Sequence, residues 1–247
     1  EIIASLGSNT SFISSTTNNN KQKELLITLF DSENYSNVGS RKFIDDLLHF
    51  NCTLPHKNDF NKCHIPFQSD LAFTNITWSN ISHILELKQI GLSSNLYLHH
   101  SNTIHANNNT FLNNLLSYKM NQLHIKDQAN DLNDLPPSSS QAAFSSYINE
   151  ENQTLLILTD HQKEYINPYY HSAADNRLNI NNDTNHLCHI ATYILQAAIY
   201  PFFNTNQSLQ LDINCLRLNE IYRCLIEDIN CNLFNKIPDI KSTSLKQ

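Results

Sequence analysis

The chain has 247 residues and a formal net charge of −7, with 40% hydrophobic residues, six cysteines and three glycines. This length fits one large domain or two small ones, since domains commonly hold about 100–200 residues. The glycines stand far apart, which excludes a Walker loop, a Rossmann fingerprint and a G-x-S-x-G nucleophile elbow. The 16 Lys and Arg against 23 Asp and Glu, with no basic run, argue against a nucleic-acid partner.

The first half of the chain predicts strands and helices in alternation. Glu24–Phe30 is a short apolar run typical of a buried strand. A polar loop, Asp31–Val38, leads from it into a helix over Gly39–Phe50, which has apolar residues along one face. Four further elements are expected in chain order: a strand at Ile65–Phe73, a helix at Asn80–Leu92, a strand at Asn95–His99 and a helix at Thr110–Ile125.

The second half continues the same pattern and ends in two helices. The expected elements are a short helix at Ser138–Ile148, a buried strand at Thr154–Asp160, a long loop at His161–Thr184, and closing helices at Asn185–Phe203 and Leu216–Phe234. Buried strands alternating with helices predict an α/β domain with a mostly parallel sheet flanked by helices. Because sites in such sheets form in loops at the carboxyl ends of strands, the loops Asp31–Val38 and His161–Thr184 are the candidates.

The cysteines favour a lumenal or extracellular compartment, since six cysteines without a C-x-x-C pair are compatible with a secreted protein held by disulfides. Cys52 and Cys63 flank a short polar loop and are the pair that we expect to bond. Cys224 and Cys231 lie seven residues apart on one predicted helix. Helical rise separates them by about 10.5 Å, which is too far for a disulfide.

Asparagine is unusually abundant, and nine asparagines begin N-x-S/T sequons, a mild excess over chance for this composition. A biased, AT-rich genome explains the abundance of asparagine as well as glycosylation does. No stretch approaches the length of a membrane-spanning helix, which needs about 18 consecutive apolar residues. The sequence also shows no signal peptide, so we expect an internal or processed piece of a longer protein. The candidate glycan acceptors are Asn9, Asn34, Asn51, Asn75, Asn80, Asn108, Asn152, Asn182 and Asn206.

Each candidate loop carries one residue with chemical potential. Glu33, beyond the first predicted strand, can serve as a general base or metal ligand, but a single carboxylate there is more often a solvated acidic turn. His171, in the second loop, can bind metal or be an ordinary surface histidine. Three other groupings are weaker still: His99, His100 and His105 as a metal cluster, Cys188 with His189 as a catalytic dyad, and Asp160 with His161 as part of a triad.

Taken together, the two loops resemble known families. FDSEN…VGSRKF matches the FDGEE…GS of the co-catalytic zinc aminopeptidases, and YYHSAADNRLNI resembles their YHTPADTxENID. ELLITLFDSENYSNVGSRKFIDDL, LPPSSSQAAFSSYI and TLLILTDHQKEYINPYYHSAADN are closer to the nicastrins, large glycosylated γ-secretase subunits with an aminopeptidase-like ectodomain. The resemblance covers most of Lys23–Phe234, with breaks around Asn51–Asn80. It implies that residues 1–247 are part of the large lobe of such an ectodomain, an incomplete domain.

The resemblance also bears on catalysis. In the active peptidases the first Glu of the pair is the general base and the second holds zinc; here those positions are Glu33 and Asn34. A neutral amide replaces a carboxylate poorly in a dinuclear metal site, and Asn34 is itself a sequon. His171 matches the last zinc-binding histidine of the peptidases. The resemblance therefore implies a non-catalytic chain with no metal and no cofactor, and an active zinc aminopeptidase is the alternative.

Where the nicastrins carry DYIGS, this chain has Ser36-Asn37-Val38-Gly39-Ser40, so the Asp and Tyr of that element are missing. The resemblance nevertheless places a degenerate site or substrate pocket in these two loops. Its candidate residues are Glu33, Asn34, Asn37, Gly39, Ser40 and His171.

The resemblance further implies a role in assembling γ-secretase and in admitting type I membrane proteins to it, as in Notch signalling. The implied partners are presenilin, the anterior-pharynx-defective subunit and the presenilin enhancer. The chain would lie on the lumenal or extracellular side of the endoplasmic reticulum, Golgi and plasma membrane, with its single membrane anchor outside these residues. A peptide-binding module unrelated to γ-secretase is a further possibility.

Overall fold

The fold is known from a computed structural model of the chain. The residues that it describes are 15–16, 22–23, 25–30, 33, 36–68, 71–101, 104, 109–130, 141–149, 151–170, 172–174, 176–179, 183–199, 213–227 and 231. Across these ranges, every helix is too short or too polar to cross a lipid bilayer.

Strands and helices are numbered here in chain order. The strands are β1 (Ser15–Thr16), β2 (Gln22–Lys23), β3 (Leu54–His56), β4 (Asp59–Ile65), β5 (His83–Leu87), β6 (Asn95–Ser101), β7 (His124–Asn130) and β8 (Thr154–Thr159). The α-helices are α1 (Val38–His49), α2 (Thr110–Ser117), α3 (Gln141–Phe144), α4 (Thr184–Ile194) and α5 (Cys215–Ile226).

A four-stranded sheet with the order β5-β8-β6-β7 forms the centre of the fold. The pairs β5–β8 and β6–β7 are parallel, whereas β6 and β8 run antiparallel. The predicted α/β class is confirmed, and the sheet is mixed, with one antiparallel junction at its middle. Two small antiparallel hairpins, β1–β2 and β3–β4, lie outside this sheet.

Strand β8 is buried along its whole length, and its two faces contribute to two different cores. Leu156 and Leu158 pack with residues of α2 and α4 in the larger core. Leu155 points to the smaller core, where it meets Ile44 of α1 and Phe144 of α3. Apolar residues on both faces explain why this strand reads as an uninterrupted hydrophobic run rather than an alternating one.

Several predicted elements are confirmed, with shifted ends. The helix expected at Gly39–Phe50 is α1, the strand expected at Asn95–His99 is β6, and the buried strand expected at Thr154–Asp160 is β8. The helix expected at Thr110–Ile125 ends at Ser117, because the chain then enters β7. Two expected helices end earlier than predicted: α3 at Phe144 and α5 at Ile226. The helix expected at Asn185–Phe203 is α4 followed by the π-helical turn Leu195–Ile199, and the remainder of that prediction lies outside the described residues.

The prediction of a buried strand at Glu24–Phe30 is wrong for the part that the structure describes. Residues 25–30 have no regular secondary structure, and the side chain of Leu29 is 63% exposed. A strand requires a neighbour that satisfies its backbone N–H and C=O groups. None of the described strands pairs with this segment. Phe30 alone contributes to the smaller core, against Phe43.

The helix predicted at Asn80–Leu92 is also wrong, since residues His83–Leu87 form strand β5. Its apolar residues suggested helical spacing because both faces of the strand are covered. Ile84 packs against the smaller core, whereas Leu85 and Leu87 pack against the larger one. The strand predicted at Ile65–Phe73 fails as well, because β4 ends at Ile65, immediately before Pro66, which has no N–H to continue the ladder.

Three disulfides connect the described cysteines. The bond between Cys52 and Cys63 agrees with the prediction from the sequence. A second bond, Cys188–Cys215, ties α4 to α5. The exclusion of a Cys224–Cys231 bond is wrong, because α5 ends at Ile226 and the chain beyond it brings the two Cα atoms to 5.4 Å.

Candidate functional site

The first candidate loop is organised around the carboxylate of Glu33. One of its oxygens accepts a hydrogen bond from the backbone N–H of Ser40 at 2.7 Å, and the other accepts from the Ser40 hydroxyl at 2.7 Å. Ser40 is fully buried in the first turn of α1. The side chain of the N-cap residue, Asn37, makes no capping hydrogen bond, so Glu33 satisfies the N–H that an N-cap usually satisfies.

The backbone before α1 explains how Glu33 reaches that position. Ser36 and Asn37 both have positive φ, 60° and 58°, which serine and asparagine tolerate better than bulky residues. The N–H of Asn37 donates to the carbonyl of Glu33 at 3.0 Å and closes the turn. This turn places the Glu33 carboxylate at the positive end of the helix, where a negative charge is stabilised.

Asn37 contributes a second polar feature. Its side chain is only 7% exposed, and its Oδ1 atom has no hydrogen-bond partner among the described residues. Gly39 lies in the first turn of α1, half-buried beside it. The structure therefore brings together four of the six residues that the sequence suggested. The other two, Asn34 and His171, lie outside the described residues.

Lys88, which follows β5, is a charged neighbour of this site that sequence reasoning missed. Burial lowers the pKa of its ammonium group, while the carboxylates of Glu86 and Glu33 act in the opposite direction. The Lys88 ammonium therefore lies within electrostatic reach of Glu33. No local pattern in the sequence could have revealed this, because 55 residues separate the two positions and the sheet brings them together.

The described residues do not fit the dinuclear zinc centre of the aminopeptidases. They contain no group of three or more His, Cys, Asp or Glu side chains arranged to hold a metal ion. Glu33 already uses both oxygens to bind Ser40. A lysine ammonium near this carboxylate would also repel a metal cation. Among the described residues, the arrangement around Glu33 caps α1.

The second candidate loop begins with a buried pair at the end of β8. His161 Nδ1 lies 3.2 Å from Asp160 Oδ1, and both side chains are almost completely buried. Asp160 Oδ2 also accepts a hydrogen bond from the N–H of Leu92 at 3.2 Å. The described residues provide no hydrogen-bond partner for His161 Nε2, so the pair lacks the nucleophile of a catalytic triad.

A cavity of about 340 Å³ lies beside this pair, lined by Tyr97, Asp160, His161, Gln162, Lys163, Glu164 and Ile166.

The remaining histidine and cysteine candidates have structural roles. His99 and His100 lie in β6 and not in a polar loop, and each is buried. Nε2 of His99 lies 3.1 Å from the carbonyl of His161, and Nε2 of His100 lies 2.6 Å from Asp127. Cys188 forms a disulfide and cannot act as a nucleophile with His189. His105 lies outside the described residues.

Four of the nine sequon asparagines are described, and all four are exposed: Asn51, Asn75, Asn80 and Asn152. Asn80 and Asn152 precede the neighbouring parallel strands β5 and β8, so they lie at the same edge of the sheet. This edge is opposite to the carboxyl end of β8, where Asp160 and His161 lie. The other sequon asparagines, Asn9, Asn34, Asn108, Asn182 and Asn206, are outside the described residues.

Comparison with known proteins gives a consistent result. A family model for the nicastrin large lobe matches residues 1–200. The nicastrin of Dictyostelium discoideum is 32% identical over 234 residues, which cover 87% of this chain and 35% of that protein. The nicastrin of Dictyostelium purpureum is 32% identical over 220 residues, covering 85% of this chain and 32% of that protein.

A solved structure agrees with these relatives. The crystal structure of the γ-secretase component nicastrin superimposes with a TM-score of 0.67 at 29% identity, over 85% of this chain and 36% of that chain. The chain therefore spans about a third of the length of the relatives that it matches. The family model, the sequence relatives and the shared aminopeptidase-like fold lead to one conclusion: the chain belongs to the nicastrin family.

Proposed function

We propose that this chain is part of a non-catalytic subunit of γ-secretase that assembles the complex and controls which type I membrane proteins reach its protease. The observation that carries the proposal is the commitment of Glu33 to Ser40. Both carboxylate oxygens accept hydrogen bonds at 2.7 Å, which gives the group a structural role as the cap of α1. The position of the second, zinc-binding carboxylate of the peptidases is taken by Asn34, whose neutral amide is a poor zinc ligand. The family membership supplies the connection to γ-secretase.

Gating by this subunit requires no chemistry of its own. A folded domain that lies above an intramembrane protease excludes substrates with large ectodomains by steric overlap and admits those with short ones. The partners in this proposal are presenilin, the anterior-pharynx-defective subunit and the presenilin enhancer. The three disulfides support a position on the lumenal or extracellular side of the membrane, where the thiols of such pairs are oxidised.

The test uses the full-length protein that contains this chain, expressed in cells that lack their own nicastrin. We expect it to co-purify with the three partner subunits and to restore cleavage of a type I substrate with a short ectodomain. Cleavage should fall as that ectodomain is lengthened by a folded domain. Failure to co-purify with presenilin, or cleavage independent of ectodomain size, would contradict the proposal.

Metal analysis of the same protein separates this function from that of a zinc aminopeptidase. We expect no stoichiometric zinc and no hydrolysis of amino-acid amides. Glu33→Gln should then lower the free energy of unfolding, and the background rate of amide hydrolysis should be the same as in the wild-type protein. Two tightly bound zinc ions, with hydrolysis abolished by Glu33→Gln but retained in Asp45→Asn on the exposed side of α1, would identify an enzyme instead.

A further inference from the structure

Three buried histidines lie around the antiparallel junction of β6 and β8. His99 and His100 are consecutive residues of β6, and His161 follows Asp160 at the end of β8. Their exposed fractions are 0%, 2% and 1%. Histidine can change its charge between pH 5 and 8, and burial disfavours its charged form. These three residues, called the histidine cluster below, therefore make the junction sensitive to protons.

His99 joins β6 to the first residue after β8. Its Nε2 atom lies 3.1 Å from the hydroxyl oxygen of Thr159 and 3.1 Å from the carbonyl oxygen of His161. The Thr159 hydroxyl donates to the same carbonyl at 2.5 Å. This bonding pattern assigns the proton of the neutral His99 ring to Nε2, as a second donor to that carbonyl. The start of the chain after β8 is thus fixed by a neutral imidazole.

The three imidazoles of the cluster have different charged neighbours. Nε2 of His100 lies 2.6 Å from Asp127, and Nδ1 of His161 lies 3.2 Å from Asp160, so a proton on either ring faces a carboxylate. His99 instead bonds uncharged oxygens. Burial is the main cause that lowers the pKa of His99; the bond to the His161 carbonyl opposes this shift, and the charges of the two other histidines reinforce it.

Further titratable groups surround the cluster without compensating a charge on His99. The ring of Tyr97, also on β6, has its centroid 6.3 Å from that of His99. Lys126 of β7 holds its ammonium 5.2 Å from the centroid of the Tyr97 ring. Lys163 and Glu164 line the cavity at the end of β8. Two ammonium groups and one carboxylate add no net negative charge, so a proton on His99 remains unfavourable while the site is dry.

The chain after His161 is weakly attached to the rest of the fold. Residues 162–170, called the 162–170 loop below, form no helix or strand, and none of them is buried. The ring of Tyr165 packs edge to face on His161 at 4.9 Å, and Tyr170 packs on Tyr165 at 4.5 Å. A segment with so little burial opens at a lower free energy than the sheet. Its aromatic contacts lead back to the histidine cluster.

We propose that His99 is an acid-sensitive switch for the 162–170 loop: a proton gained by its imidazole releases the loop from β6 while the main sheet stays folded. The proton goes to Nδ1, because Nε2 already carries one. A charged ring needs water, and water reaches His99 when His161 and the loop move away. Proton uptake therefore favours the open state.

The direction and size of the effect follow from linkage. In the open state the hydrated His99 ring has its ordinary pKa of about 6.5, which is above that of the closed state. The open population should therefore be constant above pH 6.5 and rise as the pH falls from there toward the closed-state pKa. One proton allows a rise of at most about tenfold per pH unit.

The experiment is hydrogen exchange, read by mass spectrometry, on the full-length protein between pH 7.5 and 5. Each rate is divided by the intrinsic rate at that pH to give a protection factor. Peptides that cover the 162–170 loop include the N–H of Tyr170, bonded to the Asn167 carbonyl at 3.2 Å. Their protection should fall by up to about tenfold per pH unit below 6.5, while that of the Thr154 N–H in β8 stays constant.

Three variants separate titration from simple loosening. His99→Gln keeps an N–H for the His161 carbonyl but cannot be protonated, so the protection of the 162–170 loop should not depend on pH. Thr159→Val removes the hydroxyl bond and should lower this protection at every pH without changing the slope. His64→Gln changes an exposed histidine of the hairpin β3–β4 and should match wild type.

The wild-type profile decides the matter even where a variant fails to fold. Loop protection that does not change with pH, or loop and β8 losing protection together, would overturn the inference. A full wild-type slope in His99→Gln would overturn it as well. The switch belongs to this chain and goes beyond the proposed function. A protein with this pH profile that never binds presenilin would refute the γ-secretase proposal and leave the switch supported.

Discussion

Glu33 and Ser40 are joined by two hydrogen bonds of 2.7 Å that use both carboxylate oxygens and both donors of the serine. The serine is the third helical residue of α1, and the glutamate lies seven residues before it. In this chain the position that resembles a catalytic carboxylate is thus a helix cap. A capping carboxylate contributes to the free energy of unfolding, whereas a catalytic carboxylate contributes to a reaction rate, so substitution of Glu33 distinguishes the two roles.

Removal of the cap should destabilise the protein. Glu33→Ala leaves the buried N–H of Ser40 without its acceptor, and the hydroxyl keeps only its longer bond to the Asn37 carbonyl at 3.2 Å, so we expect the free energy of unfolding to fall by about 1–3 kcal/mol. Ser40→Ala keeps the backbone bond and should cost less. Denaturant unfolding of the ectodomain measures both changes. Asp45→Ala is the control, since its exposed pair with His49 should contribute under about 0.5 kcal/mol. Wild-type stability of Glu33→Ala would show that α1 does not need this carboxylate.

His99 should make the protein less stable in mild acid. Burial lowers the pKa of its imidazole below the ordinary value of 6.5; the hydrogen bond to the His161 carbonyl opposes this shift, and the charges of His161 and His100 reinforce it. The unfolded chain therefore binds a proton at a higher pH than the native state does. Stability is complete above pH 6.5 and falls as the pH drops from there toward the native pKa, by at most about 1.4 kcal/mol per pH unit for this group.

The variant that checks this is His99→Gln, which cannot be protonated. Its unfolding free energy should depend less on pH between 7 and 5 than that of wild type, whatever its absolute stability. Gln162→Ala, which changes an exposed side chain that carries no charge, should keep the wild-type slope. Identical slopes in all three proteins would assign the acid sensitivity to other groups.

An element can be predicted from the sequence when its own residues show the hydrophobic pattern that identifies it. β8 is an apolar run buried on every residue, and α1 has one apolar face, so each could be recognised locally. β5 could not, because its apolar spacing reflects two cores that distant helices complete. The bond between Cys224 and Cys231 was excluded on the assumption of a continuous helix, and where a helix ends depends on tertiary packing.

The candidate site shows the same limit. The second loop was placed correctly after a buried strand, β8, whereas the strand predicted before the first loop is not formed by residues 25–30. Glu33 and Ser40 could be named from the resemblance. That Glu33 caps α1 depends on two positive-φ residues in the turn between them, which no sequence pattern specifies. The approach of Lys88 depends on a strand that the sequence did not predict correctly.

The three disulfides should differ in their contribution to stability. In the chain-entropy account a bond restricts the unfolded chain more when it closes a longer loop. The separations are 27 residues for Cys188–Cys215, 11 for Cys52–Cys63 and 7 for Cys224–Cys231. We expect paired Cys→Ala variants to lose about 3–4 kcal/mol for the first and about 2.5–3 kcal/mol for each of the others. Denaturant titration measures these losses, and disulfide mapping checks that the other two bonds have formed. The smallest loss for the Cys188–Cys215 variant would contradict the prediction.

Gln153 should be the most sensitive polar position at the edge of the sheet where the sequon residues Asn80 and Asn152 lie. Its side chain is 5% exposed and makes three hydrogen bonds: Nε2 donates to the carbonyls of Trp78 and Ile81 at 3.0 and 2.9 Å, and Oε1 accepts from the N–H of Asn149 at 2.9 Å. Gln153→Ala removes the side-chain partner of the Ile81 carbonyl and of the Asn149 N–H, while the Trp78 carbonyl still accepts from the N–H of Ile81 at 3.1 Å. We expect the free energy of unfolding to fall by about 2 kcal/mol. The change keeps the Asn152 sequon intact, which separates the packing effect from any loss of glycan.

Gln162→Ala is the matched control for that substitution, because the Gln162 amide bonds Gln128 on an exposed surface and its removal should change stability by about 0.5 kcal/mol at most. Hydrogen exchange localises the damage. The N–H of Thr154, which donates to the carbonyl of Ser82 at 2.8 Å where β5 and β8 begin, should exchange faster in Gln153→Ala and remain protected in Gln162→Ala. Equal exchange in the two variants would mean that Gln153 does not hold these strand ends together.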